Sequence, residues 1–97
     1  MSAAGFGPGA PVRVRDIWPE RNGPVHIRTP HYLRGVPGRV VRRLGAFPNP
    51  EDLAFGRPAA TVPLYHVAFD PALVWPEVEP GGELLVEIFE HWLEPRP

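Results

Sequence analysis

Glu83-Leu84-Leu85-Val86-Glu87-Ile88-Phe89-Glu90-His91-Trp92-Leu93-Glu94-Pro95 is the stretch whose reading decides the fold of this 97-residue chain. Leu84, Leu85, Ile88, Phe89, Trp92 and Leu93 recur at i, i+1, i+4, i+5, the stripe of an amphipathic helix. The capping is poor for a helix, however, and Leu84, Val86 and Ile88 also alternate as the buried face of a strand. On periodicity alone both readings stay open.

The segments upstream are less divided. Leu64–Phe69 alternates, with Tyr65, Val67 and Phe69 on one face, and reads as a strand. Asp70-Pro71 starts a turn, and Trp75 to Gly82 forms a loop. Gly38–Phe47 (GRVVRRLGAF) is a strand with a β-branched centre. Between these strands Pro48 to Val62 is a long loop holding Pro48, Pro50, Pro58 and Gly56. A loop of that length in so small a domain is usually functional or pressed against a partner. Further upstream, Val12 and Val14 alternate with Arg13 and Arg15 as a short half-buried strand. Asp16 to Val25 is a loop. Thr29-Pro30 reads as an N-cap followed by Pro at the first helical position, and His31 to Arg34 as one helical turn stopped by Gly35. Residues 1–10 are expected to form a flexible N-terminal arm and residues 11–97 the folded domain. Four or five short strands separated by Pro and Gly turns predict a small β barrel.

Composition narrows the function classes. Fifteen Pro and ten Gly approach the range of low-complexity disorder, but 43% hydrophobic content with ten aromatic residues is enough to fold. The core of such a domain is modest and leaves little room for a private deep active site. There is no Cys, hence no disulfide, thiolate metal site or cysteine nucleophile. No apolar run is long enough to span a membrane, and the N-terminus lacks the features of a signal peptide, so a cytoplasmic protein is expected.

Charge is divided along the chain. Residues 1–48 hold eight Arg against Asp16 and Glu20, whereas residues 49–97 hold Arg57 and Arg96 against nine acids. All ten basic residues are Arg, a rigid five-donor fork suited to carboxylates and oxyanions. The near-neutral total, without a basic run interleaved with aromatics, argues against nucleic acid as a partner. His26 and His31 stand at i, i+5 and His66 and His91 lie on strand-like segments, so no metal site is expected in this chain. His66, opposite the apolar face of its strand, is expected at the surface. Tyr65, Phe69, Phe89 and Trp92 are expected in the core. Trp18, Phe47, Phe55 and Trp75 fall on or beside loops, where they are placed to reach a partner.

Five ordered blocks carry a resemblance to a known family. They are His26-Ile27-Arg28-Thr29-Pro30-His31-Tyr32-Leu33-Arg34-Gly35; Gly38-Arg39-Val40-Val41 with Gly45-Ala46-Phe47-Pro48; Leu64-Tyr65-His66-Val67-Ala68-Phe69-Asp70 with Leu73 and Trp75; Leu85-Val86-Glu87-Ile88-Phe89-Glu90; and Trp92-Leu93-Glu94-Pro95. Together they resemble the C-terminal part of the nitrile hydratase β subunit, from about Pro11 to Pro95. The resemblance implies an all-β fold, a small SH3-like barrel with one short helical turn and long Pro-rich loops. It tips the last segment toward strand, 3₁₀ turn and final strand. The helical N-terminal half of the usual β subunit has no counterpart here. The chain therefore looks like the small, γ-type subunit of three-subunit members such as toyocamycin nitrile hydratase, in which the β chain is split.

In the resembled family an α-type subunit binds Co(III) or Fe(III) through a cysteine cluster, two of whose thiols are oxidised. The implied role of this chain is that of a non-metal-bearing subunit, inactive alone, that completes the active-site interface for converting a nitrile and water to an amide. Its implied partners are the α-type subunit and an N-terminal β-like subunit, with no nucleic acid and no membrane. Oxidised sulfur carries negative charge in a buried interface, where an unpaired anion costs several kcal/mol, roughly. A guanidinium is a fitting counter-charge. By the family's pattern that Arg is Arg28, in the His-Ile-Arg segment, and Arg34 is a second candidate for the interface with Trp18, Phe55 and Trp75. Arg34 reads equally well as a helix C-terminal cation or as part of an intrachain pair. Alternative implied roles are a metallochaperone or activator of nitrile hydratase, a subunit of thiocyanate hydrolase, and an interaction module with no catalytic tie.

Overall fold

The computed structural model describes residues 5–18 and 29–96. Among the described residues there are five strands: β1 (Pro11–Val14), β2 (Pro37–Pro48), β3 (Thr61–Phe69), β4 (Leu84–Phe89) and β5 (Leu93–Pro95). They form one antiparallel sheet in the order β4-β3-β2-β1-β5. The C-terminal segment is thus strand, 3₁₀ turn (Glu90–Trp92) and strand. The helical stripe lost because Leu84, Val86 and Ile88 can face the core from a strand while Trp92 enters it from the turn. The molecule is an all-β SH3-like barrel.

The sheet curls because β2 is long and irregular. Its first residues pair with β1 (Pro11↔Arg39, Val12↔Gly38), and from Arg39 to Pro48 it pairs with β3. The β2–β3 register slips between Val40 and Arg42 and again between Arg43 and Gly45, and bulges of this kind bend and twist a strand. Gly45 sits at the second slip with φ +135, a backbone state that side-chain-bearing residues rarely adopt.

Inside the curl lie Val12, Val14, Leu33, Val40, Tyr65, Val67, Phe69, Ile88, Trp92 and Leu93. Each large apolar side chain so buried contributes about 1.5–3 kcal/mol. The expected core aromatics Tyr65, Phe69, Phe89 and Trp92 are all buried. Leu64 and Ala68, on the opposite face of β3 from Tyr65 and Val67, are buried as well. β3 is therefore covered on both faces.

Several element boundaries differ from expectation. The helical turn is a 3₁₀ turn over His31–Leu33 capped by Pro30, whose ψ of 131 is extended. Thr29 makes no cap and is buried instead. Pro already fixes the φ that a cap position tolerates, so the turn opens one residue later. Gly35 ends it with φ +81, as its sequence position implied. The long loop is shorter than Pro48–Val62, because β2 runs to Pro48 and β3 begins at Thr61. It contains a helical turn, α1 (Pro50–Leu53), whose N-cap Asn49 accepts a hydrogen bond from the Glu51 N–H.

Of the arm expected over residues 1–10, residues 5–10 lie along the barrel. Gly9 N–H donates to the Val40 carbonyl at 2.7 Å, and the Phe6 ring meets Tyr65 edge-on at 5.8 Å. The Tyr65 hydroxyl donates to Glu90 Oε2 at 2.7 Å and accepts from the Phe6 N–H at 3.1 Å.

Two tests follow from this packing. A Cβ on Gly38 would stand 2.7 Å from Phe69 Cε1 and 2.8 Å from the Ala68 carbonyl oxygen. Gly38→Ala is expected to destabilise the fold by about 1–3 kcal/mol, read from urea midpoints, because backbone and core ring must both shift. Burial, followed by the bond to Glu90, raises the Tyr65 hydroxyl pKa above its ordinary 10.0. A group whose pKa is higher folded than unfolded stabilises below the unfolded value and loses that contribution as pH rises through the folded one. The stability difference between the natural chain and Tyr65→Phe should therefore hold up to about pH 10 and shrink above it.

Candidate functional site

The ends of the segment that carries Arg28 meet at the end of β1. Val14 N–H donates to the Val36 carbonyl at 3.1 Å, and Gly35 N–H donates to the Val14 carbonyl at 2.8 Å. Arg15 N–H donates to the Trp92 carbonyl at 2.9 Å. Arg28 itself, with His26, lies outside the described residues.

The other four candidates are placed. Arg34 follows the 3₁₀ turn, and its guanidinium carbon stands 4.3 Å from the Trp18 ring centre and 5.1 Å from that of Trp92. Trp18 is 38% exposed and donates its Nε1–H to Asp16 Oδ1 at 2.9 Å. Two Trp faces supply negative quadrupole to one delocalised cation, a contact worth about 0.5–2 kcal/mol per ring. Arg34 is thus an aromatic-stacked cation rather than a simple helix C-terminal charge. Trp75 meets Tyr32, from the same 3₁₀ turn, at 5.4 Å between ring centres. Tyr32 and Trp75 are both partly solvent-exposed. Phe55 lies apart in sequence, beside α1, with the Arg57 guanidinium 5.2 Å from its ring. The structure therefore joins Trp18 to Arg34 and adds Tyr32 to Trp75.

Glu51 is a residue that the sequence reading did not single out. Its Oε2 accepts from Trp92 Nε1 at 2.7 Å and lies 3.0 Å from His91 Nε2. That contact fastens α1 to the 3₁₀ turn between β4 and β5. His91, expected on a strand-like segment, belongs to that turn and faces the loop. The signal was in the sequence: Asn49-Pro50-Glu51 places a capping side chain before Pro at a helix start. His66 is partly buried and sits 3.9 Å from Glu87 on the outer face of the sheet. Among the described residues no group of three or more His, Asp or Glu side chains is arranged to hold a metal ion. Nor, among those residues, is any helix long and apolar enough to cross a membrane.

Residues 1–95 match the family model described as nitrile hydratase beta subunit, C-terminal. The chain belongs to this family. It is 38% identical over 92 residues to a nitrile hydratase subunit beta of Rhodococcus erythropolis, covering 93% of this chain and 42% of that one. It is 34% identical to thiocyanate hydrolase subunit alpha of Thiobacillus thioparus, covering 92% of this chain and 70% of the relative. Thiocyanate hydrolase from Thiobacillus thioparus, solved as the recombinant apo-enzyme, contains a chain of the same fold. Its TM-score is 0.80 at 32% identity, over 94% of this chain and 75% of that one. The chain spans less than half the length of the Rhodococcus nitrile hydratase relative and 34% of a second one from Pseudomonas chlororaphis. In this chain, Arg34, Trp18 and Trp92 form a stacked group beside the 3₁₀ turn that follows the Arg28 segment.

Removing the Glu51 carboxylate leaves the indole N–H of a buried Trp without its acceptor. Glu51→Ala is expected to cost about 1–3 kcal/mol. Glu51→Gln keeps a neutral acceptor and should cost less. Thermal melts followed by tryptophan fluorescence measure both.

Proposed function

We infer that this chain is a non-metal-bearing subunit of a heteromeric nitrile hydratase, a hydro-lyase of the cytoplasm that converts a nitrile and water to an amide. The family match over residues 1–95 carries this reading. The 70% coverage of the thiocyanate hydrolase subunit supports the subunit form, since there the same region makes up most of a separate polypeptide. In this reading the chain takes the place of the small, γ-type subunit. It sits beside an α-type subunit that holds Co(III) or Fe(III) and beside an N-terminal β-like subunit. The partner's metal supplies a Lewis acid for the nitrile.

The part of this chain is electrostatic. Arg28 donates hydrogen bonds to the oxidised cysteine oxygens of the α-type subunit, holding their charge in a site closed to water. Thr29, the next residue, is buried, so the chain is anchored one position beyond the proposed contact. Arg34, stacked on two indoles, holds the same turn. Trp18 and Trp75, both partly exposed, line the interface around it.

A second reading, a thiocyanate hydrolase subunit, is favoured by the TM-score of 0.80 to that enzyme. The assembled complex distinguishes the two, because one hydrates nitriles and the other consumes thiocyanate.

Co-expression with α-type and N-terminal β-like subunits tests the assignment. A stable complex with one cobalt or iron per α-type chain is expected, and the isolated chain should hydrate no nitrile. Arg28→Ala should lower the turnover number by about 10²–10³, as loss of a charge-stabilising donor does in other sites. An unchanged hydration rate with unchanged assembly would remove Arg28 from the site. Activity of the chain alone would overturn the reading altogether.

A further inference from the structure

A concave site opens where β1 and β2 meet the end of β3. It encloses about 390 Å³, within the range of small-molecule sites, and Arg39 and Arg96 both line it. Arg39 belongs to β2 and Arg96 follows β5, on opposite sides of Pro11 in β1. Pro11 pairs with Arg39, and the Arg96 N–H donates to the Pro11 carbonyl at 3.1 Å. Backbone bonds therefore hold the two residues two strand spacings apart, about 10 Å. Two long side chains can close that gap on one anion.

Arginines elsewhere in the chain are spent on neighbouring acids. Arg13 meets Glu94 at 2.7 Å, and Arg57 meets Asp52 at 3.2 Å. Among the described residues no ion pair holds Arg39 or Arg96, although Asp70 and Glu83 line the same pocket. Asp70 is committed to the backbone. One of its carboxylate oxygens accepts from the Ala72 N–H and the other from the Gly81 N–H, each at 3.0 Å. Glu83 is exposed, as both arginines are.

The wall between these charges is apolar, built from Pro11, Pro37, Ala68 and Leu73. That combination selects the ligand. A guanidinium fork matches the planar oxygens of a carboxylate and donates two parallel hydrogen bonds to it. Phosphate also suits the forks, but it gains nothing from a Pro and Leu wall, on which a short hydrocarbon tail buries apolar surface.

We propose that this pocket binds a small organic carboxylate, gripped between Arg39 and Arg96 with its tail against the apolar wall. Every residue of the site belongs to this chain, so the proposal does not depend on the subunit reading.

Backbone amide NMR of the isotope-labelled full chain, titrated with sodium butyrate at constant ionic strength, tests it. Saturable shifts are expected at Gly38, Arg39 and Gly82, and none from butyramide, which lacks the charge. Arg39→Gln and Arg96→Gln should each weaken binding by about fivefold or more. Arg42→Gln, which removes a cation outside the pocket, should change it by less than about twofold. Glu83→Gln removes a repelling charge and should tighten binding by about twofold. Position 96 lies beyond the last strand, so Arg96→Gln carries the test even where Arg39→Gln disturbs β2. Shifts that never saturate, an equal response to butyramide, tighter binding of inorganic phosphate than of butyrate, or butyrate binding that survives loss of both arginines each overturn the proposal.

Discussion

A four-residue strand holds the molecule together. β1 lies between β2 and β5, and pairs Val12 with Gly38 on one side and with Pro95 on the other. Val12 and Val14 are fully buried, whereas Arg13 between them reaches out to Glu94 at 2.7 Å. That ion pair is exposed and worth at most about 1 kcal/mol, so the two Val side chains, not the charges, fix the closure. The same strand determines where the segment containing Arg28 begins and ends, because the backbone bonds of Val14 and Gly35 bring its two sides to one place.

Trp92 then ties the loops to the closed barrel. It is buried in the core, yet its indole N–H reaches Glu51 of α1, and its ring lies under the Arg34 guanidinium. One side chain thereby fixes the Pro-rich loop and the 3₁₀ turn after Arg28. A substitution at this position removes core volume, a loop anchor and a cation platform together, so its effects on the two loops will not be additive. The strand order brings part of the Arg-bearing half against the acidic half, because β1 with Arg13 pairs with β5 and its Glu94.

The strands were legible where alternation was strict. Val12 and Val14 announce their face because one side is core and the other is solvent, and Tyr65, Val67 and Phe69 because they alternate along the inner face. The C-terminal segment was not decidable from periodicity, since Leu84 to Leu93 satisfies both repeats, and only tertiary pairing with β3 and β1 selects the strand. Burial of Leu64 and Ala68 was hidden for a related reason: they lie on the outer face of β3, which alternation alone reads as exposed. The partly exposed positions of Trp18, Phe55 and Trp75 follow from their neighbouring Pro, Gly and Asp residues. Their contacts do not, because a ring's neighbour across the fold leaves no local pattern. Glu51 was missed although Asn49-Pro50 marks a helix start, since a single helical turn inside a Pro-rich loop has no apolar repeat to reveal it.

A subunit that contributes a charged group to a shared site must hold that group in place before the partner arrives, or the ordering cost is taken from assembly. This barrel meets that need indirectly. The residue after Arg28 is buried, the turn beyond it is stacked on two indoles, and the strand before the segment is closed by paired backbone bonds. Most of the acids lie in the C-terminal half of the chain, away in sequence from this segment. A domain that fixes the chain on both sides of the Arg28 segment leaves less ordering to be done when the partner arrives.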